Sequence, residues 1–450
     1  LGVSEYGFLQ KVPFDFFLNY PYGLLYSLPE HSLLTPQTAL APEPKGTFAL
    51  PARTFGALKA YAVQAEAAPV LTYFVQRGRE YLRVGAWVGL LQVPDGTTLE
   101  LLPKLSPGTS EDDALHASRR VLLRMLRAVP TLPFRVLPEA QLSQWASWAL
   151  PEVLAALFLQ QAERLLHQGL QTHYQPIEQE QAFVKGKIQL NRVSQSTLLR
   201  PERLPLRFDE RTRNNAPNRL LKACLWQLRQ STPNARRVRQ YLFTLDDIPA
   251  SVDWAQDLAL ARRNDRRFVA YAWLWPWVEW LLGGRAPGLA PGTARLPGLL
   301  FPTAQLFEAY VSHSLRRYLP APLSVHSQEA RYHLLRTPGG TLQHRLRPDV
   351  VIRHGHDSWV LDIKWKEITA TPDHTYGVAQ PDLYQLYAYG RRYLRDEGRV
   401  KLALLYPGTA TFSEASLPFR YEEDLPLSFV PVELSVPAPE MVARLWEAIR

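Results

Sequence analysis

Short apolar runs broken by turns occupy roughly the first hundred residues, after which the period of the pattern changes. Residues 71–74, 80–88 and 98–102 alternate as strands do, with Asp95-Gly96 as a turn between the last two, and residues 57–67 have helical spacing. Pro42-Glu43-Pro44-Lys45-Gly46 marks a loop. From residue 111 apolar side chains recur at helical intervals: Leu115, Val121, Leu122, Met125 and Leu126 form a stripe behind Ser110, a capping residue. Residues 142–169 predict a long helix that Pro151 breaks and restarts, and residues 184–190 a hairpin-like interruption. Helix returns over 218–230 and 235–242, and over 262–282 with an interruption at Pro276. The stretch 283–300 carries Pro287, Gly288, Pro291, Gly292, Pro297 and Gly298, which predicts a linker without regular structure. Beyond it, residues 346–352 and 358–365 read as two strands about the turn His354-Gly355-His356-Asp357, with helices opening near Gln305 and after Pro381.

This pattern predicts a multidomain α/β (α+β) protein: a β-rich module over residues 1–105, a mainly helical segment over 106–295, and an α/β domain over 301–450 with a mixed central sheet. The composition, 46% hydrophobic and 21% charged over 450 residues, supports real cores. The single cysteine, Cys224, excludes an internal disulfide, a cysteine zinc finger and a four-cysteine iron–sulfur cluster, and points to a cytoplasmic protein. No basic segment precedes an apolar run, so no signal peptide is expected, and the richest apolar stretch, 268–282, contains Pro276 and Glu279 and is too short for a bilayer. No phosphate loop of the Gly-x-x-x-x-Gly-Lys-Ser/Thr kind is present, so the chain is not expected to hydrolyse nucleoside triphosphates alone.

The net charge of +9 is concentrated in one segment: residues 106–295 hold 26 Lys/Arg against 17 Asp/Glu, and the flanking segments are balanced. That excess suits phosphate contacts, with Arg262, Arg263, Arg266, Arg267, Lys185 and Lys187 as the candidates. The tryptophans at 273, 275, 277 and 280 are expected in a core, the commoner fate of such a cluster.

The sharpest chemistry lies in Arg347-Pro348-Asp349-Val350-Val351-Ile352 and Trp359-Val360-Leu361-Asp362-Ile363-Lys364-Trp365. In a hairpin, Asp349 of one strand lies near Asp362 of the other, and Asp362 and Lys364 share a face with Ile363 turned away. Two carboxylates, with the Ile363 carbonyl as a further oxygen, suit Mg²⁺, and Mn²⁺ as a substitute. A lysine beside the metal-bound water is what phosphodiester hydrolysis needs. Lys366 is an alternative if the register shifts. Gln385 and Tyr389, four apart on a helix with Asp382 on the same face, are placed to hold a phosphate or a displaced nucleotide. Glu308, on a helix whose Leu306, Phe307 and Val311 turn inward, is a third candidate metal ligand. His354, His356 and His374 lack ligand spacing, and His313, five positions beyond Glu308, faces partly away.

A helical Glu, then Pro-Asp, Asp-x-Lys and Gln-x-x-x-Tyr in that order is similar to the PD-(D/E)xK nuclease superfamily, in its Gln-x-x-x-Tyr branch. The wider chain resembles McrC, the nuclease subunit of modified-cytosine restriction systems. Val184-Lys185-Gly186-Lys187-Ile188, Phe208-Asp209-Glu210 followed by Asn218-Arg219-Leu220-Leu221-Lys222, Leu101-Leu102-Pro103-Lys104-Leu105 and Ser4-Glu5-Tyr6-Gly7 carry that resemblance, which is strongest over residues 300–395. It implies a restriction-endonuclease-like core, Mg²⁺-dependent cleavage of DNA in the bacterial cytoplasm, and a partner: a hexameric GTP-hydrolysing AAA+ ring of the McrB kind. A homodimer bridging two rings is implied as well. The N-terminal module would dock into the ring and stimulate GTP hydrolysis, with Lys45 or Arg53 as the exposed basic residue. Two other functions fit the same residues: a non-cleaving adaptor that activates the ring, and a stand-alone repair exonuclease.

Overall fold

The computed structural model describes residues 24–36, 46–64, 70–105, 111–129, 134, 139–192, 202–229, 234–263, 265–283, 298–368 and 376–450. Lys45, Ser110, His374 and the Ser4-Glu5-Tyr6-Gly7 segment lie outside them. The described residues pack as two compact units, one within Pro151–Arg295, the other joining Leu24–Leu150 to Leu296–Arg450. The packing therefore groups the chain differently from the three segments read from the sequence.

In the unit around Pro151–Arg295, helix Leu150–Gln168 carries Pro151 in its first turn, where a missing N–H breaks no hydrogen bond. Pro276 behaves likewise. The helix expected over 262–282 ends at Arg263, passes through two 3₁₀ turns, and restarts as Leu274–Leu281 with Pro276 in its opening turn. Trp275, Trp277 and Trp280 are buried, and Phe158 meets Trp273 and Trp277 edge-on at 5.6 and 5.4 Å between centroids. Asn215 caps helix Ala216–Leu228, and Asn218 in its first turn is fully buried with its amide fully used: it donates to Gln171 O and Arg213 O and accepts from the Tyr271 hydroxyl. A three-stranded antiparallel sheet, with Leu204–Thr212 between His173–Gln181 and Lys187–Ile188, completes the unit.

The other unit begins with two four-stranded sheets, and the single strand expected over residues 80–88 is two, Arg79–Val84 and Trp87–Gln92. In one, Thr98–Leu102 pairs in parallel with Leu25–Pro29 and antiparallel with Trp87–Gln92. The free edge of Trp87–Gln92 takes Gly298–Pro302. This corrects, at residues 298–300, the expectation of a linker without regular structure over 283–300; residues 284–297 lie outside the described residues. The close approach requires Gly89, at φ +122°, because a Cβ there would collide with the Leu299 carbonyl. All five residues of Thr98–Leu102 are buried, Glu100 included. Its carboxylate accepts from Arg119 Nε at 3.0 Å and Nη2 at 2.7 Å, Ser27 Oγ at 2.6 Å and the Leu150 N–H at 2.8 Å. Arg119 comes from helix Glu111–Ala128, the amphipathic helix that the stripe Leu115 to Leu126 predicts.

The same unit holds a six-stranded mixed sheet in the order Ser324–Ser327, Val350–His354, Asp357–Ile363, Arg399–Pro407, Leu425–Val432, Phe419–Glu422. The first three strands are antiparallel neighbours, and Asp357–Ile363, Arg399–Pro407 and Leu425–Val432 run parallel. Helix Gln380–Glu397 makes the crossover between the first two of these parallel strands, burying Leu386, Tyr389 and Tyr393 against Val351, Val360, Leu402 and Leu404. Helix Ala438–Ile449 also packs on this unit, where Trp359 donates from Nε1 to Ile449 O and meets Trp446 edge-on. The strand expected over 346–352 is two pieces. Leu342–Leu346 pairs with Tyr332–Arg336, and a new strand starts at Val350 after Pro348, which has no N–H for a ladder.

Candidate metal and phosphodiester site

Within the unit that joins Leu24–Leu150 to Leu296–Arg450, the Val350–His354/Asp357–Ile363 hairpin pairs Val350 with Leu361, so one further step sets Asp349 across from Asp362. The break at Pro348 leaves Asp349 just outside the ladder. Its main-chain carbonyl accepts from the Gln328 N–H at 3.0 Å, and its Oδ2 accepts from the Ile363 N–H at 2.7 Å. Ile363, whose carbonyl is the expected further oxygen, also ties its N–H to Asp349. Gln328 Nε2 reaches Asp349 Oδ1 at 3.1 Å and also donates to Glu308 Oε1. Gln328 has φ +51°, a left-handed backbone uncommon outside glycine and often found where a side chain must be aimed. Nothing in the sequence marks this residue. Only tertiary pairing brings it between two carboxylates.

Asp362 is 1% exposed on the central strand. Lys364 Nζ stands 2.9 Å from its Oδ2, yet that oxygen has no aligned hydrogen-bond donor. The ammonium turns to Gln385 Oε1 at 3.1 Å, Gln385 Nε2 donates to the Tyr389 hydroxyl at 2.9 Å, and that hydroxyl donates to Arg347 O. Tyr389 is buried, so its ring is core and its hydroxyl ends this relay. Lys364 and the half-buried Gln385 are the more accessible members of the relay. Lys366 leaves the site: its Nζ pairs with Asp382 at 2.6 Å and its side chain is 50% exposed. Asp382 also lies 3.9 Å from Lys364, so it anchors both lysines, a role its helical spacing did not reveal.

The electrostatics of this cluster are unfavourable by themselves. Burial, then repulsion from Glu308 and Asp362, pushes the Asp349 carboxyl up to about 8. Burial raises Glu308, opposed by its Gln328 hydrogen bond and reinforced by Asp362. Burial likewise raises Asp362, opposed by Lys364. For Lys364, burial would favour the neutral amine, but Asp362, Asp382 and Asp349 outweigh it and hold the ammonium charged. A carboxyl raised in the folded state favours folding most when protonated. The metal-free chain should therefore lose stability as pH rises from about 4 toward 8. Asp349→Asn should flatten that loss, gaining on the order of 1 kcal/mol at pH 8 in urea denaturation. A pH dependence identical to wild type would contradict this account of the cluster.

Among the described residues no group of three or more His, Cys, Asp or Glu side chains is gathered closely enough to ligate an ion as it stands. The Gln328 amide bridges Glu308 and Asp349 where a cation would sit. The donor chemistry still fits one: the oxygens are all carboxylate, they repel one another, and the buried Asp362 Oδ2 has the Lys364 ammonium beside it but no aligned hydrogen bond. Oxygen-only donors of this kind suit Mg²⁺ or Mn²⁺.

The other candidates fall elsewhere. Arg262, Arg263, Arg266 and Arg267 are exposed in the unit around Pro151–Arg295, and Arg262 is paired with Glu279 at 2.8 Å. In the same unit Lys185 and Lys187 flank Gly186, whose φ of +79° lets the chain turn tightly against Arg207 and Phe208. Lys185 lies over the Phe208 ring at 4.2 Å. Arg53 is exposed on helix Ala52–Gln64. His354 and His356 occupy the hairpin turn, at the end of the hairpin away from Asp349 and Asp362. No helix among the described residues is long and apolar enough to cross a membrane.

In fold the chain is similar to a chain of the refined half-complex from the tetradecameric assembly of Thermococcus gammatolerans McrB AAA+ hexamers with bound McrC. The TM-score is 0.67 at 16% identity, covering 94% of this chain and 99% of that one. A second similarity, to a chain of the Thermococcus gammatolerans McrBC complex, has a TM-score of 0.44 at 17% identity and covers 66% of this chain and 88% of that one. No match was found among curated proteins. A family model described as McrBC 5-methylcytosine restriction system component matches residues 82–407, a span holding Glu308, Asp349, Asp362, Lys364, Gln385 and Tyr389. As its McrC-like motifs implied, the chain belongs to the McrBC family of 5-methylcytosine restriction system components.

Proposed function

We propose that this chain is the DNA-cleaving subunit of a modification-dependent restriction system, with a PD-(D/E)xK core that works with a GTP-hydrolysing AAA+ ring of the McrB kind. The observation that carries the reading is the convergence of Glu308, Asp349 and Asp362 on a buried site beside Lys364. The first three have raised carboxyl groups, a cost that a divalent cation offsets. Asp349 and Asp362, with Glu308, would hold Mg²⁺, or Mn²⁺ in its place. When bound, the ion would lower the pKa of a water and neutralise charge on a phosphoryl oxygen. Lys364 is held by Asp362 and Gln385, so its positive charge is fixed before DNA arrives and needs no reorganisation as charge grows on the phosphate. Gln385 and Tyr389 keep that ammonium aimed. The exposed cations at 262, 263, 266 and 267, with Lys185 and Lys187, would supply sequence-independent attraction for the duplex.

The lysine assignment separates two adjacent residues. Lys364→Met should lower cleavage about 10²–10³-fold, as removal of one preorganised charge donor does, and Lys366→Met should change it only a few-fold. Equal losses would move the role off Lys364.

The partner follows from the family and from the absence of a nucleotide-binding phosphate loop in the sequence. Mixing the chain with a McrB-type ring, GTP, Mg²⁺ and methylated DNA should give cleavage together with faster GTP turnover. Faster turnover with no cutting would make the chain an adaptor. Cutting of unmodified linear DNA without the ring would make it an exonuclease.

A further inference from the structure

Glu30 lies far in sequence from Glu308, Asp349 and Asp362, yet it is tied to the elements that carry Glu308 and Asp362. It is 2% exposed in the turn after strand Leu25–Pro29. Its Oε1 accepts from the Trp365 Nε1–H at 2.8 Å and the Lys104 N–H at 3.1 Å, and its Oε2 accepts from the Thr303 hydroxyl at 2.9 Å. Thr303 is the first residue of the helix that carries Glu308, and its own N–H donates to Ala86 O in the same N-terminal sheet region. Trp365 follows Lys364 directly, and its ring meets Phe307, the neighbour of Glu308, edge-on at 5.1 Å. A single buried carboxylate thus joins the start of the Glu308 helix to the segment just after strand Asp357–Ile363. Beside it runs a cleft of about 150 Å³ lined by Glu30, Lys104, Trp365, Lys366 and Thr409.

We propose that Glu30 is a positioning residue for the metal site, setting the spacing between Glu308 and the end of strand Asp357–Ile363 with Lys364 after it, through its hydrogen bonds to Thr303 and Trp365. The N-terminal sheet is then part of the nuclease machinery rather than a separate module, because without its carboxylate the helix and strand lose their common anchor. This rests on the metal-site reading above. The carboxylate acts through hydrogen bonds and not through its charge. A glutamine fits the same role: its amide oxygen accepts both N–H groups, and its amide nitrogen donates to the Thr303 oxygen.

The test is Mn²⁺ binding to the full chain without DNA or partner, followed by the electron paramagnetic resonance signal of free Mn²⁺, alongside thermal unfolding. Glu30→Ala should weaken Mn²⁺ binding about 10-fold or more, as loss of a group that orients metal ligands does, and Glu30→Gln should stay within about 2-fold of wild type. Val70→Ala, a cavity in the core of the same N-terminal region, controls for general destabilisation and should leave Mn²⁺ affinity unchanged. Wild-type affinity in Glu30→Ala, or equal weakening in Val70→Ala, would overturn the proposal and leave the metal site standing. A wild-type chain that takes up no Mn²⁺ would overturn both.

Discussion

Asp362→Ala is expected to reduce partner-supported DNA cleavage by about 10³-fold or more while leaving the metal-free chain folded and its stimulation of GTP turnover intact. The size follows from the position. Asp362 sits on the central strand, paired in register with Leu404 on one side and set across from Asp349 on the other. Its Oδ2 is buried, faces the Lys364 ammonium at 2.9 Å and receives no aligned hydrogen bond. Stability should not suffer, because in the metal-free state the carboxylate is desolvated. Lys364 keeps Gln385 at 3.1 Å and Asp382 at 3.9 Å after the substitution. Cleavage and circular dichroism, measured together in Mg²⁺, decide it: a folded Asp362→Ala chain that still cuts at more than about a tenth of the wild-type rate would remove the nuclease assignment.

Arg119→Ala should be the most damaging single change outside the site, costing about 3–5 kcal/mol in urea denaturation. Glu100 is fully buried in the middle of a strand with no exposed residue, and Arg119 supplies its only formal positive charge among the partners described. Truncating the arginine strands a carboxylate that Ser27 and the Leu150 N–H cannot neutralise. The same physics predicts the converse. Arg119→Met combined with Glu100→Met should be far less harmful than Arg119→Ala, since an apolar pair of similar volume removes the desolvation penalty as well as the attraction. A double variant as unstable as Arg119→Ala would show that packing, not charge, governs this region. Because Glu100 also receives the Leu150 N–H at the start of helix Leu150–Gln168, the single variant should loosen that first turn as well.

The local features were legible wherever neighbouring residues decide the conformation. The hairpin turn at Gly355, the first-turn prolines at 151 and 381, the amphipathic stripe ending at Leu126 and the shared face of Asp362 and Lys364 all follow from one- to four-residue spacings. The errors have one origin. Residues 283–300 and 346–352 were read by composition and alternation alone. A Gly-Pro stretch can still end in a strand if a sheet edge waits for it, as Trp87–Gln92 does for Gly298–Pro302. An apolar run can still break if a proline denies the ladder a donor, as Pro348 does. At the site, Glu308, Asp349, Asp362 and Lys364 were visible as a motif order. Gln328 and Glu30 were not, since neither lies in a motif and each acts across a fold contact.

From the sequence alone came the kinds of element, the ordered acid and lysine positions, and the family resemblance, because each rests on local periodicity or a short motif. Tertiary structure decided which charges meet. It paired Lys364 with Asp362 and Lys366 with Asp382. It put the Tyr389 hydroxyl in a buried hydrogen-bond relay that runs on to Arg347 O, and it placed Leu24–Leu150 in the same compact unit as the six-stranded sheet. The physical reason is that desolvation and charge proximity depend on distances through space, which no spacing along the chain specifies.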